Sequence, residues 1–367
     1  MKTKLHLLLF ILSFTTTSLA LPPLSPVRSS DDRQLSRGST RALEFNEALL
    51  PDGMQNMGTH PGAQIQVIRL VKNAPTAVTG LRFKTVMNTR LGARQVDLIT
   101  DASGTITLPS CSQSTLVLQS EFREPRYGIS SRRKYYSLRV EVPCQAKTVL
   151  VFKEDSPAGQ VVSIHQVIQR AIATLAQVSD FKFWDRPIRF IFPSDGDYYS
   201  NDQVNLTLGH QWDVVGHEMG HAIYDQARIG LFGGGSHKID ECYTNAMALS
   251  EGWASFFSGW IHIDLRDPDA KFEYLVPRRA PIRFEHVPSD VCGKSTNEWR
   301  VNSFFWDLID LNADGEVSQI AAKRLWDDML DARAGSVKAA AERLMSRGWD
   351  KSQVLQVWKL NFPQDAR

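Results

Sequence analysis

The sequence predicts an α+β protein, with an all-β sandwich followed by a mixed domain that is largely helical in its C-terminal half. Three observations predict it. Short β-prone runs separated by Gly, Asn, Pro and Ser fill residues 61–153. Helical apolar spacing takes over from residue 154. Hydrophobic residues make up 43% of the 367-residue chain and charged residues 22%, the balance of a protein that buries a core. The expected organisation is a signal peptide (1–20), a linker or poorly ordered arm (21–60), a β-sandwich accessory domain (61–153) and a second domain (154–367).

The N-terminal segment "MKTKLHLLLFILSFTTTSLALPP" has two lysines, an apolar run from Leu5 to Phe14 and small residues up to Ala20. That is the three-part layout of a secretory signal peptide, with cleavage expected after Ser18-Leu19-Ala20. The apolar run is too short to span a bilayer comfortably, and no later stretch is long enough. A secreted or extracytoplasmic protein with no membrane anchor after cleavage is expected. The stretch from Leu21 to about His60 is rich in Pro, Ser, Arg and Asp with little apolar period, hence the arm.

The sandwich strands are read from "AQIQVIRLV", "GLRFKTVM", "STLVLQS", "YYSLRVEV" and "KTVLVF". Val161, Ile164, Ile168, Ile172 and Leu175 then recur at helical spacing and predict a buried amphipathic helix. "RPIRFIF" reads as a short strand and "DQVNLTLG" as a half-buried one, with Val204, Leu206 and Leu208 on one face. Beyond Asp240 the reading is helical: Tyr243 to about Trp260, then Val301–Leu308, Gln319–Ala332, Val337–Ser346 and Ser352–Leu360.

Charge and cysteine usage narrow the function classes. The formal net charge is +2, from 42 basic against 40 acidic residues, which argues against a nucleic-acid partner. The basic run Arg132-Arg133-Lys134 is a solvated loop. Four cysteines in an exported chain, with no C-x-x-C pair, favour disulfides. The expected pairing is Cys111–Cys144 and Cys242–Cys292, each within one predicted domain.

The chemistry concentrates in "VVGHEMGHAIY", residues 214 to 224. On an α-helix, residues four apart are offset by roughly 40° and rise about 6 Å, so His217 and His221 project from one face and can hold one zinc ion together. Glu218 stands at the side of that face, placed to take a proton from a water rather than to ligate. This is the content of an H-E-x-x-H motif. The alternative is a helix with a chance histidine pair, but Val214, Val215, Met219, Ala222 and Ile223 make it a core helix on which uncompensated polar groups are costly.

A third protein ligand would leave one position open for water. Metzincins would place a His and a Gly where this chain has Ala227 and Tyr224, which excludes them. Thirty residues after His221, "NAMALSEGWASFFSGW" carries Glu251 among Ala248, Leu249, Trp253, Ala254 and Phe257, where a carboxylate is expensive unless paired or metal-bound. The segment resembles the second helix of the gluzincins, the thermolysin-like branch of zinc metallopeptidases. The resemblance covers about Val204 to Gly259. It implies a zincin-like domain over 154–367, zinc ligands His217, His221 and Glu251, and Glu218 as the catalytic base. It further implies that Gln203–Gly209 is the edge strand that pairs with an extended peptide or protein substrate.

Where thermolysin-like enzymes carry an Asp that orients the first His, this chain has Ser255, so Asp225 or Asp240 are candidates for that task. Asp225 is also the alternative third ligand. Donors to a developing oxyanion are sought among Tyr243, Tyr274, His286 and His237, the last in the glycine-rich "GLFGGGSHK".

Weaker signals surround this core. "QVDLITDASGTITLP" resembles a strand-turn-strand segment of carboxypeptidase regulatory-like β-sandwich domains, which implies an accessory module. Asp310 to Gly315 opens like an EF-hand calcium loop, but Ala321 stands where a bidentate Glu is expected; the choice is between a calcium site with other partners and a plain turn. The "WDLID" helix is expected to bring Glu298, Arg300 or Asp307 near the site. The expected activity is that of a zinc-dependent endopeptidase. Its rivals are a non-catalytic zinc-binding protein on the same scaffold and a zinc hydrolase of a non-peptide amide or ester.

Overall fold

The computed structural model describes residues 40–43, 49–51, 63–89, 92–108, 114–144, 147–312 and 321–365. The signal-peptide expectation for residues 1–20 lies outside them, as do Cys111 and most of the candidate calcium loop. The chain is α+β. Its first strands are β1 (Thr40–Leu43), β2 (Leu49–Pro51), β3 (Gln64–Val71), β4 (Ala74–Ala77), β5 (Arg82–Thr89) and β6 (Gly92–Ile99). After them come β7 (Thr105–Thr107), β8 (Thr115–Glu121), β9 (Arg123–Glu124), β10 (Tyr127–Ser130), β11 (Tyr135–Pro143) and β12 (Lys147–Phe152).

These strands form two sheets whose apolar faces feed one core. In β5, Phe83, Thr85 and Met87 are buried while Arg82, Lys84, Val86 and Asn88 face water. In β8, Leu116, Leu118 and Ser120 alternate in the same way, as a sheet with one covered face requires. Ile65, Val67 and Leu150 of the smaller sheet share a core with Leu118, Leu138 and Val140 of the larger. Within the stretch read as an arm, β1 runs parallel to β11 and β2 antiparallel to β12, one strand in each sheet. The Asp101-to-Gly104 turn does not close a hairpin: β6 pairs with β5 in one sheet and β7 with β3 in the other, so the turn crosses between sheets.

The chain then enters α1 (Pro157–Leu175), started by Ser156, whose Oγ accepts the Gly159 N–H at 3.0 Å, and by Pro157 in the first turn. All five apolar residues that predicted this helix are buried. β13 (Ile188–Ile191), β14 (Tyr198–Ser200) and β15 (Gln203–Asn205) follow. β13 lies parallel to β10, so the larger sheet continues past residue 153 into the helical part of the chain. β15 lies parallel to β13 on its far side, and β14 runs antiparallel to β15 as the last strand of that order. Gln203–Gly209 is therefore not the edge: regular pairing stops at Asn205, and Tyr198–Ser200 lies outside it.

Five of the remaining helices matter for the site and its support: α2 (Trp212–Gln226), α3 (Asn245–His262), α4 (Glu298–Trp306), α5 (Ala322–Met329) and α6 (Val337–Ser346). α7 (Lys351–Asn361) closes the chain. α3 begins two residues later than the pattern predicts because Thr244 caps it, accepting the Met247 N–H at 3.2 Å. α4 begins three residues earlier than predicted because Asn297 caps it, accepting the Arg300 N–H at 3.0 Å; Glu298 thereby enters its first turn. α6 has the predicted bounds.

α2 and α3 cross with almost no side chain between them at two points. A Cβ on Gly216 would lie 2.3 Å from Ser258 Oγ, and one on Gly220 would lie 2.8 Å from the Cα and carbonyl oxygen of Ala254. The absence of those atoms sets the interhelical approach that everything at the site depends on. At the start of α2, Asp213 is fully buried and its Oδ2 accepts the backbone N–H groups of Glu273, Tyr274 and Leu275 at 2.7, 2.6 and 3.3 Å. That ties the segment after α3 to the helix that carries the histidines. A disulfide joins Cys242 to Cys292, Cα atoms 5.7 Å apart, as expected.

Candidate metal centre

The close crossing brings Glu251 of α3 against the two histidines of α2. Glu251 Oε2 lies 3.2 Å from His217 Nε2 and 3.1 Å from His221 Nε2, and the two Nε2 atoms are 3.2 Å apart. Three ligand atoms thus form a nearly equilateral triangle. Donors at roughly 2.0–2.1 Å from a tetrahedral zinc stand about 3.3 Å apart, so the triangle matches one face of such a site. The chemistry also fits: two imidazoles and a carboxylate are borderline and hard donors suited to zinc, and three protein ligands leave a fourth position. All three side chains are buried.

Each imidazole is held from behind. His217 Nδ1 lies 3.1 Å from Ser255 Oγ, and His221 Nδ1 lies 3.4 Å from Ser250 Oγ. These bonds turn both Nε2 atoms toward Glu251. Ser255 itself does the work for which Asp225 and Asp240 were the candidates. Asp225 is instead drawn away: its Oδ2 accepts from the Tyr199 hydroxyl at 2.9 Å and pairs with Arg186 at 3.1 Å, so it is not the third ligand. Asp240 pairs with Arg279 at 3.7 Å.

Glu218 is buried beside the triangle. Burial, more than any neighbour, pushes its carboxyl up to about 7; His217 opposes this, and Glu251 and Asp197 add to it. Burial would also raise Glu251, but His221 and His217 pull it well below the ordinary carboxylate range. Asp197 stands just before β14, which links the outer strand to the Glu218 side of the site. Phe232 covers the other flank with its ring centroid 5.9 Å from that of His221 and 6.0 Å from that of Tyr199. Leu231 and Phe232 are 58% and 51% exposed, so apolar side chains border this flank of the centre.

Of the four residues considered as oxyanion donors, His237 reaches the centre. Its Nε2 lies 3.7 Å from Glu251 Oε2 and 3.1 Å from Glu298 Oε2. Tyr243 packs its ring on His237 and gives its hydroxyl to Glu241 at 3.0 Å. Tyr274 stacks edge-on with His210, and His286 is exposed. Glu298 was one of three residues expected from the "WDLID" region, and it alone of them enters this cluster. Arg300 is occupied by the carbonyls of Cys292, Asn361 and Val291, and Asp307 accepts from Asn361 Nδ2 at 2.6 Å. Sequence reasoning missed Ser250 altogether, although its place next to Glu251 on the same helix was the available signal. Asp310 accepts the Asn312 N–H at 3.0 Å, a local turn; the rest of the calcium candidate, residues 313–320, lies outside the described residues.

No protein-family model matches the chain, and no curated protein matches it. What the site does has to be argued from its own residues.

Proposed function

We propose that the protein is an exported zinc-dependent peptidase of gluzincin type. The observation that carries this reading is the triangle of His217, His221 and Glu251 donor atoms, 3.1 to 3.2 Å apart, with the Glu218 carboxylate beside it. Those three residues would hold the ion; when bound, zinc supplies Lewis acidity to a water and to the scissile carbonyl. Glu218 accepts the proton of the attacking water and delivers it to the leaving amine nitrogen. Metal coordination alone would need no carboxylate at that position, which favours catalysis over a retired scaffold.

Peptide rather than other amides is favoured by the outer strand. β14 ends the sheet order among the described residues, and Asp197 at its start lies near Glu218. An extended chain can add to such an edge with its side chains against the exposed Phe232, which touches both Tyr199 of that strand and His221. Export is supported by the N-terminal signal layout and the Cys242–Cys292 disulfide, and no described helix is long and apolar enough to cross a membrane.

The test is digestion of an unbiased peptide mixture by the purified mature protein, side by side with Glu218→Ala. Cuts by the wild type alone, concentrated next to apolar residues, are expected. Equal cutting by both proteins, or a zinc-loaded wild type that cuts nothing, would overturn the proposal.

A further inference from the structure

We infer that the pocket is built for two divalent cations, the second held by His237, Glu298 and Glu251, with Glu251 bridging. The inference rests on the zinc reading of the first centre, because Glu251 serves both sites.

The second cluster has the same construction as the first. His237 Nε2, Glu298 Oε2 and Glu251 Oε2 lie within 4.8 Å of one another, one imidazole and two carboxylates from three separate segments of chain. The two separations from His237 Nε2 are the 3.1 and 3.7 Å given above, both spanned by a cation roughly 2.1 Å from each donor. All the Glu251 separations in both clusters are to Oε2, so this one oxygen would be the donor shared by the two ions.

An independent observation fixes the direction of His237. Its Nδ1 is 2.9 Å from the Gly235 carbonyl oxygen, an acceptor only, so Nδ1 carries the hydrogen and donates it. Nε2 is then turned toward two carboxylates, where a cation or a shared proton would meet their charge. A metal-ligating histidine characteristically gives its other N–H to a backbone carbonyl, which is what Gly235 accepts here. All three histidines of the pocket therefore present Nε2 inward with Nδ1 hydrogen-bonded behind.

Charge balance points the same way. Glu218, Glu251 and Glu298 are all buried around this pocket. Burial pushes the Glu298 carboxyl up to about 8, with His237 opposing the rise, so a cation beside it would offset the cost of holding it ionised there. Cys242–Cys292 ties the segment after His237 to the segment before Glu298, which keeps the donors together without any ion. One imidazole with two carboxylates suits zinc, manganese or cobalt. In paired sites the ions stand roughly 3.5–4 Å apart and clamp both oxygens of a displacement, so a second ion here would face the same substrate as the first.

The experiment is zinc stoichiometry, by equilibrium dialysis and elemental analysis of the full mature chain, for wild type, His237→Ala, Glu298→Gln and His221→Ala. Thermal unfolding checks that each is folded; His237 lies in a partly exposed loop, so its variant keeps the test alive if Glu298→Gln does not fold. Two zinc ions per wild-type chain and one in each of His237→Ala and Glu298→Gln are expected. One ion in the wild type and in both variants would overturn the second site and make His237–Glu298 a proton-holding pair, leaving the peptidase reading intact. Two ions in all three would place the second ion elsewhere and also overturn it. A folded wild type with no zinc, or an unchanged His221→Ala, would sink the first centre and this inference with it.

Discussion

At the scale of single residues, the unusual feature is that hydroxyls rather than carboxylates stand behind the imidazoles. Ser255 Oγ meets His217 Nδ1 at 3.1 Å, and Ser250 Oγ meets His221 Nδ1 at 3.4 Å. A hydroxyl fixes the ring's direction but adds no negative charge, so it does less than a carboxylate would to raise the basicity of Nε2. Ser255→Ala removes the shorter of these bonds and frees the His217 ring to turn. Zinc affinity should fall by about 10–100-fold, the usual cost of losing such a partner. Ser255→Asp should retain or tighten binding, provided the added carboxylate fits. Competition against a chelator of known affinity reads both. An alanine variant that binds as tightly as wild type would show that packing alone orients His217.

At the scale of elements, the site is a consequence of how closely α2 and α3 cross. Gly220→Ala places a methyl 2.8 Å from the Ala254 backbone, where no flexible side chain can yield, so the helices must separate. The expected cost is about 1–3 kcal/mol of stability, measured by denaturant unfolding. Zinc binding should suffer more than stability, because Glu251 and the histidines are on opposite helices; a variant destabilised but with unchanged affinity would sever that link. Both histidines were legible in sequence because a helix fixes which of its own residues share a face. Glu251 was legible because its neighbours are apolar. His237 was legible only as one of four candidate oxyanion donors; its approach to Glu298 and Glu251 was not, since the position of a loop residue depends on the path of the chain and on a disulfide. Nor was the true edge strand. Val204 and Leu206 are buried as expected, but Asn205 between them is buried too and Leu208 is 39% exposed, because the strand ends at Asn205 and the alternation ends with it; nor does alternation say which strand lies alongside. The three residues Tyr198–Ser200 are too short to show a period at all. The β6–β7 turn carries the same lesson, because turn chemistry fixes the local chain reversal and not the sheet each arm joins.

At the scale of the whole molecule, the β-rich and helical parts meet where β10 pairs with β13, and α1 packs there with a buried titratable group. His165 of α1 is 4% exposed, with Phe122 edge-on at 5.8 Å and its Nδ1 3.0 Å from the Tyr127 hydroxyl of β10. That hydroxyl accepts from Gln169 Nε2 at 3.0 Å, so its own hydrogen is left for Nδ1, the arrangement of a neutral ring. Burial pushes the imidazole down from its ordinary 6.5 to about 4. The unfolded chain therefore binds the proton first. Above about pH 6.5 neither state binds it and the contribution to stability is complete. Below that, the unfolded state gains, and stability is lost at up to about 1.4 kcal/mol per pH unit until the folded ring also protonates near pH 4. His165→Gln keeps an acceptor for Tyr127 and removes the titration. Unfolding free energies measured at pH 7.5, 6 and 5 should fall more steeply for wild type than for the variant, by roughly one proton's worth over that window. Parallel profiles would mean that the seam opens to solvent before the molecule unfolds, and that the two parts do not melt as one.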